Sequence, residues 1–308
     1  MKIVLEMFLL SLGFLLLVKG ADWFVDGASG IATKLRIPQL VIGLTIVAMG
    51  TSAPEAAVSI SAALKGSADI TIGNIVGSNI LNILIILGLA SALVPIAVAK
   101  STIRVDIPFM LLITGVLLVL GWDGTISLVD GLIMLVLFVG YLAYLFIGAK
   151  NSPAEDPLKD LPLWKSFALT IVGLALIIWG ADLAVDAATS LARIFGMSER
   201  FIGLTIVALG TSLPELFTSV SAARKGNADI AIGNIVGSNI FNILFIVGLS
   251  ALIVPVPFAN PFRIDTVIAI LAGIVLLLCT LPRKKLLRWH GILMLGLYGI
   301  YLAYLLMV

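Results

Sequence analysis

The chain has 308 residues, is 61% hydrophobic and 12% charged, and carries a net charge of +2 with a mean hydropathy of +1.20. That composition excludes a soluble globular domain and implies a polytopic membrane protein. Continuous apolar runs exclude a membrane β-barrel, the single Cys279 excludes an internal disulfide, and the single His290 leaves no cluster for soft metals.

A membrane helix needs about 20 apolar residues. Ten spans are predicted, near 3–27, 38–64, 69–91, 105–120, 128–148, 163–190, 199–223, 229–252, 264–281 and 290–308. The first, with Lys2 ahead of it, has the look of a signal peptide. Its equivalent at 163–190 lies mid-chain, so it is expected to persist in the mature protein. The one linker-like stretch, 149–162 (AKNSPAEDPLKDLP), is too short for a folded domain. The expected organisation is a first half at 1–148, this linker, and a second half at 163–308, together one transmembrane unit. No nucleotide-binding glycine motif or basic arm is visible, so nucleic acid is not an expected partner. The lipid bilayer is.

Residues 42–90 return at 202–250 with a constant offset of 160, and 36 of the 49 paired positions are identical. With five spans per half, the second copy must enter the membrane upside down. Positive charge, which collects in cytoplasmic loops, tests this. With the N-terminus outside, the inner loops hold thirteen bases: Lys34, Arg36, Lys100, Arg104, Lys150, Lys159, Lys165, Arg224, Lys225, Arg283, Lys284, Lys285 and Arg288. The outer side holds five: Lys2, Lys65, Arg193, Arg200 and Arg263. The bias implies inverted repeats with both termini outside.

Each copy places one glutamate behind a proline: Gly50-Thr51-Ser52-Ala53-Pro54-Glu55 and Gly210-Thr211-Ser212-Leu213-Pro214-Glu215. An ionised carboxylate in mid-membrane costs about 2.5–3.5 kcal/mol, so such a residue points to function. Proline removes a backbone donor and breaks the helix, which would free carbonyls around Ala48–Thr51 and Ala208–Thr211. Unwound carbonyls of this kind coordinate cations in transporters. A plain proline kink healed by hydroxyls is the bland alternative.

The following helix reads Gly73-Asn74-Ile-Val-Gly77-Ser78-Asn79-Ile-Leu-Asn82, mirrored at Gly233 to Asn242. Asn74, Ser78 and Asn82 share a helical face. Ser78, Asn82, Ser238 and Asn242 read as ion ligands. Asn74, Asn79, Asn234 and Asn239 are equally well read as interhelical hydrogen-bonding groups. Two bidentate carboxylates supply about four oxygens and the freed carbonyls raise this to about six, the coordination of Ca²⁺. The same oxygens could hold Na⁺, and both ions cannot use the carboxylates at once. Asp22 and Asp26, with Asp182 and Asp186, read first as helix-end acids and second as lining a gate. Asp69 and Asp229 suit helix N-termini. Lys19 is expected to pair or to snorkel, and Trp164, Trp289 and Tyr304 to anchor at the interface.

These motifs resemble the alpha repeats of the cation/calcium exchanger superfamily, in its sodium/calcium exchanger branch. The G-N-A-x-E type motif of the proton-coupled members is absent. The resemblance covers the whole chain in layout and both repeats in detail. It implies an all-α membrane protein of ten transmembrane helices in two inverted five-helix repeats, with helices broken at spans 2 and 7. It also implies ion sites between spans 2, 3, 7 and 8, with spans 1 and 6 as a sliding gate. By position, Glu55 and Glu215 would be the shared carboxylates. Thr51, Thr211, Ala48 and Ala208 would give backbone oxygens, Ser52, Ser212, Ser78 and Ser238 hydroxyls, and Asn82 and Asn242 amides. Some members carry aspartate at the place of Asn242. An amide cannot titrate, which argues against a third carboxylate and against potassium co-transport. The long cytoplasmic calcium-sensing insert of animal exchangers is also absent.

The expected function is a secondary antiporter in the cell membrane, working as a monomer, that exchanges Ca²⁺ for several Na⁺ by alternating access, with no covalent chemistry and no cofactor. The rivals are a Ca²⁺/H⁺ antiporter on the same glutamates and, from another class, an uncoupled cation channel.

Overall fold

In lipid every backbone polar group must find its partner inside the protein, which leaves continuous helices as the natural solution for long apolar runs. The computed structural model describes residues 2–66, 68–150, 161–196 and 208–307, and nearly all of them are helical. In chain order the helices are α1 (Lys2–Leu35), α2 (Gln39–Thr51), α3 (Ala53–Leu64), α4 (69–93), α5 (102–120), α6 (Leu128–Lys150) and α7 (Leu163–Ile194). There follow α8 (Ala208–Thr211), α9 (Leu213–Arg224), α10 (228–253), α11 (Asn260–Thr280) and α12 (Arg288–Met307). Seven described helices are long and apolar enough to cross a membrane, and α2 with α3, bent by 50°, gives an eighth span if taken as one.

The predicted spans fall on these helices, with three differences. Span 1 ends at Leu35 rather than near residue 27, because Ala28, Ile31 and Ala32 continue the buried face. What stops it is Arg36, at φ 54, followed by an Ile37 N–H bond to the Ala32 carbonyl at 2.9 Å and then Pro38. That is a Schellman cap closed by a proline. Span 7 was expected from residue 199, and its part up to 207 lies outside the described residues, as do 151–160 of the linker. The third difference is a minor β component. Strand β1 (Ile96–Ala97) pairs antiparallel with β4 (Lys285–Leu286), and β2 (Thr125–Ile126) with β3 (Val256–Pro257). Each α5 end is thereby tied to the matching α11 end. Loops this short leave too little pattern to read from sequence.

Helices α4 and α10 form the centre: 78% and 83% of their apolar stretches are buried, against 17–39% for the other five spans. Both contain a turn of π-helix, at Asn82–Leu87 and Asn242–Val247, a distortion frequent at functional sites. Around them, α1 and α7 pack antiparallel. Gly13 lies against Gly180, Gly20 against Gly173 and Gly27 against Thr170. A side chain on Gly20 would sit 2.8 Å from the Gly173 carbonyl, so only glycine lets the two backbones approach this closely. Two acid–phenol pairs, one buried and one half-buried, have no signal in the sequence: Tyr141 donates to Asp106 and Tyr301 to Asp265, each at 3.1 Å.

Candidate ion-binding site

Helix α2 stops at Thr51, Ser52 breaks the helical path at φ −82, ψ 10, and α3 restarts with Pro54 in its first turn. The second copy breaks the same way at Ser212, φ −91, ψ 5, with Pro214 in the first turn of α9. Glu55 and Glu215 therefore stand in the first turn of a new helix, where the backbone dipole favours a negative charge. Both are only 1% exposed.

A serine ahead of a helix ordinarily caps it by bonding its first N–H groups. Neither serine does so here. Ser52 donates instead to Glu215 Oε1 at 2.8 Å, and Ser212 to Glu55 Oε1 at 3.3 Å. Each helix break thus holds the carboxylate of the other half, and the two carboxylates lie within electrostatic reach of one another. The Thr211 hydroxyl lies beside Glu55 but completes no bond of hydrogen-bond geometry. Its counterpart Thr51 donates to Asn234 Oδ1 at 2.9 Å.

The asparagines divide into two groups. Asn74 donates to Ser59 Oγ at 2.9 Å and to the Glu55 carbonyl at 3.3 Å; Asn234 does the same to Ser219 at 2.9 Å and Glu215 at 3.4 Å. These two hold the broken helices onto α4 and α10. Asn79 and Asn239 bridge α4 to α10, and they accept the side-chain amides of Asn242 and Asn82 at 3.0 Å. With those N–H groups committed, Asn82 Oδ1 and Asn242 Oδ1 are buried without a hydrogen-bond partner, and so are Glu55 Oε2 and Glu215 Oε2.

The remaining expected ligands are placed as follows. Ser78 and Ser238 are buried, and Ser238 donates weakly to the Ala48 carbonyl at 3.4 Å. That carbonyl also accepts the Ser52 N–H at 3.0 Å, so the break does not release it. Proline removes the usual bond to the carbonyl four residues back, Gly50 for Pro54 and Gly210 for Pro214, and the Gly50 carbonyl accepts a backbone N–H of the cap instead. Ala208 opens α8. Among the described residues no three His, Cys, Asp or Glu side chains come close enough to hold a metal together. A cation here would take most of its ligands from hydroxyl, amide and backbone oxygens.

Two cavities approach the helix breaks, one along α7 and the other along α1. The larger, about 540 Å³, is lined by Asp182, Asp186, Pro54, Ala57, Gly210 and Thr211, and so reaches the breaks. The smaller, about 470 Å³, is lined by Asp22, Phe217, Ser221, Arg224 and Lys225 and stops short of Pro214 and Thr51. Asp22 and Asp26, read first as helix-end acids, pair here with Lys225. Lys19 is exposed and makes no ion pair among the described residues.

Four unpartnered acceptor oxygens, two of them carboxylate, buried among membrane helices and approached by water-sized space define a multi-pass membrane ion transporter. The family model described as sodium/calcium exchanger protein matches residues 5–147 and again 165–307. The chain belongs to the sodium/calcium exchanger family, which consists of transporters and not enzymes. It is 33% identical to the sodium/calcium exchanger MaX1 of Methanosarcina acetivorans over 98% of this chain and 99% of that protein. It is 39% identical to the inner membrane protein YrbG of Escherichia coli over 96% of this chain and 95% of that protein. A solved structure of the sodium-calcium exchanger NCX_Mj superposes with a TM-score of 0.87 at 36% identity, covering 98% of this chain and 99% of that one.

Proposed function

We propose that this protein exchanges Ca²⁺ for several Na⁺ across the cell membrane by alternating access, the two ions competing for Glu55 and Glu215. The observation that carries the reading is the set of four buried oxygens with no hydrogen-bond partner, on Glu55, Glu215, Asn82 and Asn242. An unsatisfied buried acceptor costs about 1–3 kcal/mol, and every remaining lone pair there is satisfied by a cation and by nothing apolar. Thr51, Thr211, Ser52, Ser212, Ser78 and Ser238 would complete the coordination with the carbonyls of Ala48 and Ala208. Two carboxylates balance one Ca²⁺. More than two Na⁺ would leave net positive charge and make exchange electrogenic.

The architecture of the reading is ten helices in two inverted five-helix repeats, 1–148 and 163–308, joined by the linker 149–162, with both termini outside and a single chain as the working unit. The antiparallel packing of α1 on α7, 160 residues apart in the repeat register, supports inversion. So does the pairing of Ile96–Ala97, just ahead of Lys100 and Arg104, with Lys285–Leu286, which puts two loops of the basic side together.

Radiolabelled Ca²⁺ uptake into proteoliposomes, with imposed sodium, potassium or proton gradients, tests this. Uptake is expected only with an outward-directed sodium gradient, and it should respond to membrane potential. Uptake driven by a pH gradient without sodium would establish the Ca²⁺/H⁺ rival, and flux without a counter-ion the channel.

A further inference from the structure

We infer that Lys225 with Asp22 and Asp26 is a latch that holds the ion pathway shut at its inner end. Lys65 with Asp182 and Asp186 is the matching latch at the outer end, and the two engage alternately. The inference rests on the alternating-access reading above and assigns its gating residues.

At the inner end the Lys225 ammonium lies 2.8 Å from Asp26 Oδ1 and 3.5 Å from Asp22 Oδ1, and it donates to the Asp22 carbonyl at 2.7 Å. Ser221 adds a bond to Asp22 Oδ1 at 2.6 Å. Lys225 sits one residue past the end of α9, where its charge would already suit the helix dipole. It reaches across to α1 instead and clamps the broken helix to the long one. The cavity behind this clamp does not extend to the helix breaks.

The repeat register of 160 maps Lys225 onto Lys65, Ser221 onto Ser61, and Asp22 and Asp26 onto Asp182 and Asp186. All three charges and the serine recur, so the second set has the same chemistry. Its geometry is the opposite. Lys65, Ser61, Asp182 and Asp186 are exposed and make no ion pair with one another among the described residues. Between the two aspartates and Pro54 lies the larger cavity, open as far as Thr211. One clamp is closed over a short cavity and its twin is parted around a deep one, which is the arrangement of an outward-open state. Inverted repeats that trade conformations would exchange the two.

The test uses the full chain in proteoliposomes, with Cys279→Ser and Ala57→Cys as a reporter in the outer cavity, labelled by a membrane-impermeant maleimide from outside. Lys225→Gln should slow labelling about two- to five-fold, the population shift expected on losing a partly exposed ion pair, and Lys65→Gln should leave it unchanged or speed it. Lys225→Arg should behave as the parent, and the exchange Lys225→Asp with Asp26→Lys should restore labelling. A general folding defect would lower labelling and exchange in both Gln variants alike. Labelling that moves the same way in both, or in neither, overturns the latch. If labelling shifts as expected but the parent shows no sodium-driven Ca²⁺ uptake, the latch stands and the proposed exchange fails.

Discussion

Asn79 and Asn239 exchange hydrogen bonds: each donates its side-chain amide to the other's backbone carbonyl, both at 3.2 Å. Residues 160 apart in sequence thus meet across a local two-fold axis between α4 and α10. Their side-chain oxygens are used as well, by Asn242 and Asn82. The four amides form one closed network, and each member fixes which way another's oxygen turns.

Asn79→Ala and Asn239→Ala are accordingly expected to destabilise the protein to a similar degree. Each truncation leaves buried partners unsatisfied, at about 1–3 kcal/mol apiece. Because they share the same bonds, the double variant should cost clearly less than the sum of the singles. Thermal unfolding of the purified protein in detergent measures all three. Strict additivity would show that the bridge is not a unit.

Glu55→Gln and Glu215→Gln should each abolish Ca²⁺ exchange without loss of folding, since a neutral isostere is easier to bury than a carboxylate. In protein free of Ca²⁺ the variants are expected to melt at or above the parent temperature. Adding Ca²⁺ should stabilise the parent by mass action, about 2.7 kcal/mol at a hundredfold excess over its dissociation constant, and should leave the variants unmoved. Normal exchange by either variant would remove that residue from the site.

The serines at the breaks differ in grip. Ser52 reaches Glu215 at 2.8 Å, and Ser212 reaches Glu55 at 3.3 Å. A hydrogen bond to a charged group is worth about 1.5–3 kcal/mol, and a long one much less. Ser52→Ala should therefore weaken Ca²⁺ binding more than Ser212→Ala in isothermal titration. Equal effects would show that the difference in bond length does not matter to ion binding, and the reverse order that the two halves bind the ion with their roles exchanged.

How much of this was legible beforehand follows from the physics of each feature. The helices and the two glutamates that end up buried were readable because hydropathy and the cost of buried charge act locally in sequence. The doubled motif gave the pairing of halves. The capping logic of Ser52 and Ser212 was not readable, since each hydroxyl ignores its own helix for a partner about 160 residues away. The π turns at Asn82 and Asn242 have no local signature either, because their sequence suits an ordinary helix. Lys225 was counted as an inner-loop charge and nothing more; its pairing with Asp22 and Asp26 depends on how α9 lies on α1.

The repeats also differ where the two cavities meet them, and this gives a directional prediction. Ala57 lines the larger cavity, whereas its register equivalent Phe217 fills part of the smaller one and packs its ring 6.0 Å from that of Phe14. A phenyl group in place of Ala57 would enter the open approach without displacing buried neighbours, because Ala57 is exposed. Ala57→Phe is expected to slow exchange about ten-fold, a barrier increase of about 1.4 kcal/mol, with the melting temperature unchanged. Phe217→Ala removes a half-buried ring, so its stability loss should fall below the about 3–5 kcal/mol of a fully buried one. It should widen the smaller approach toward Glu215 and raise labelling of a cysteine at Val220 from the inner side. If Ala57→Phe exchanges at the parent rate, ions do not reach the helix breaks through the larger cavity.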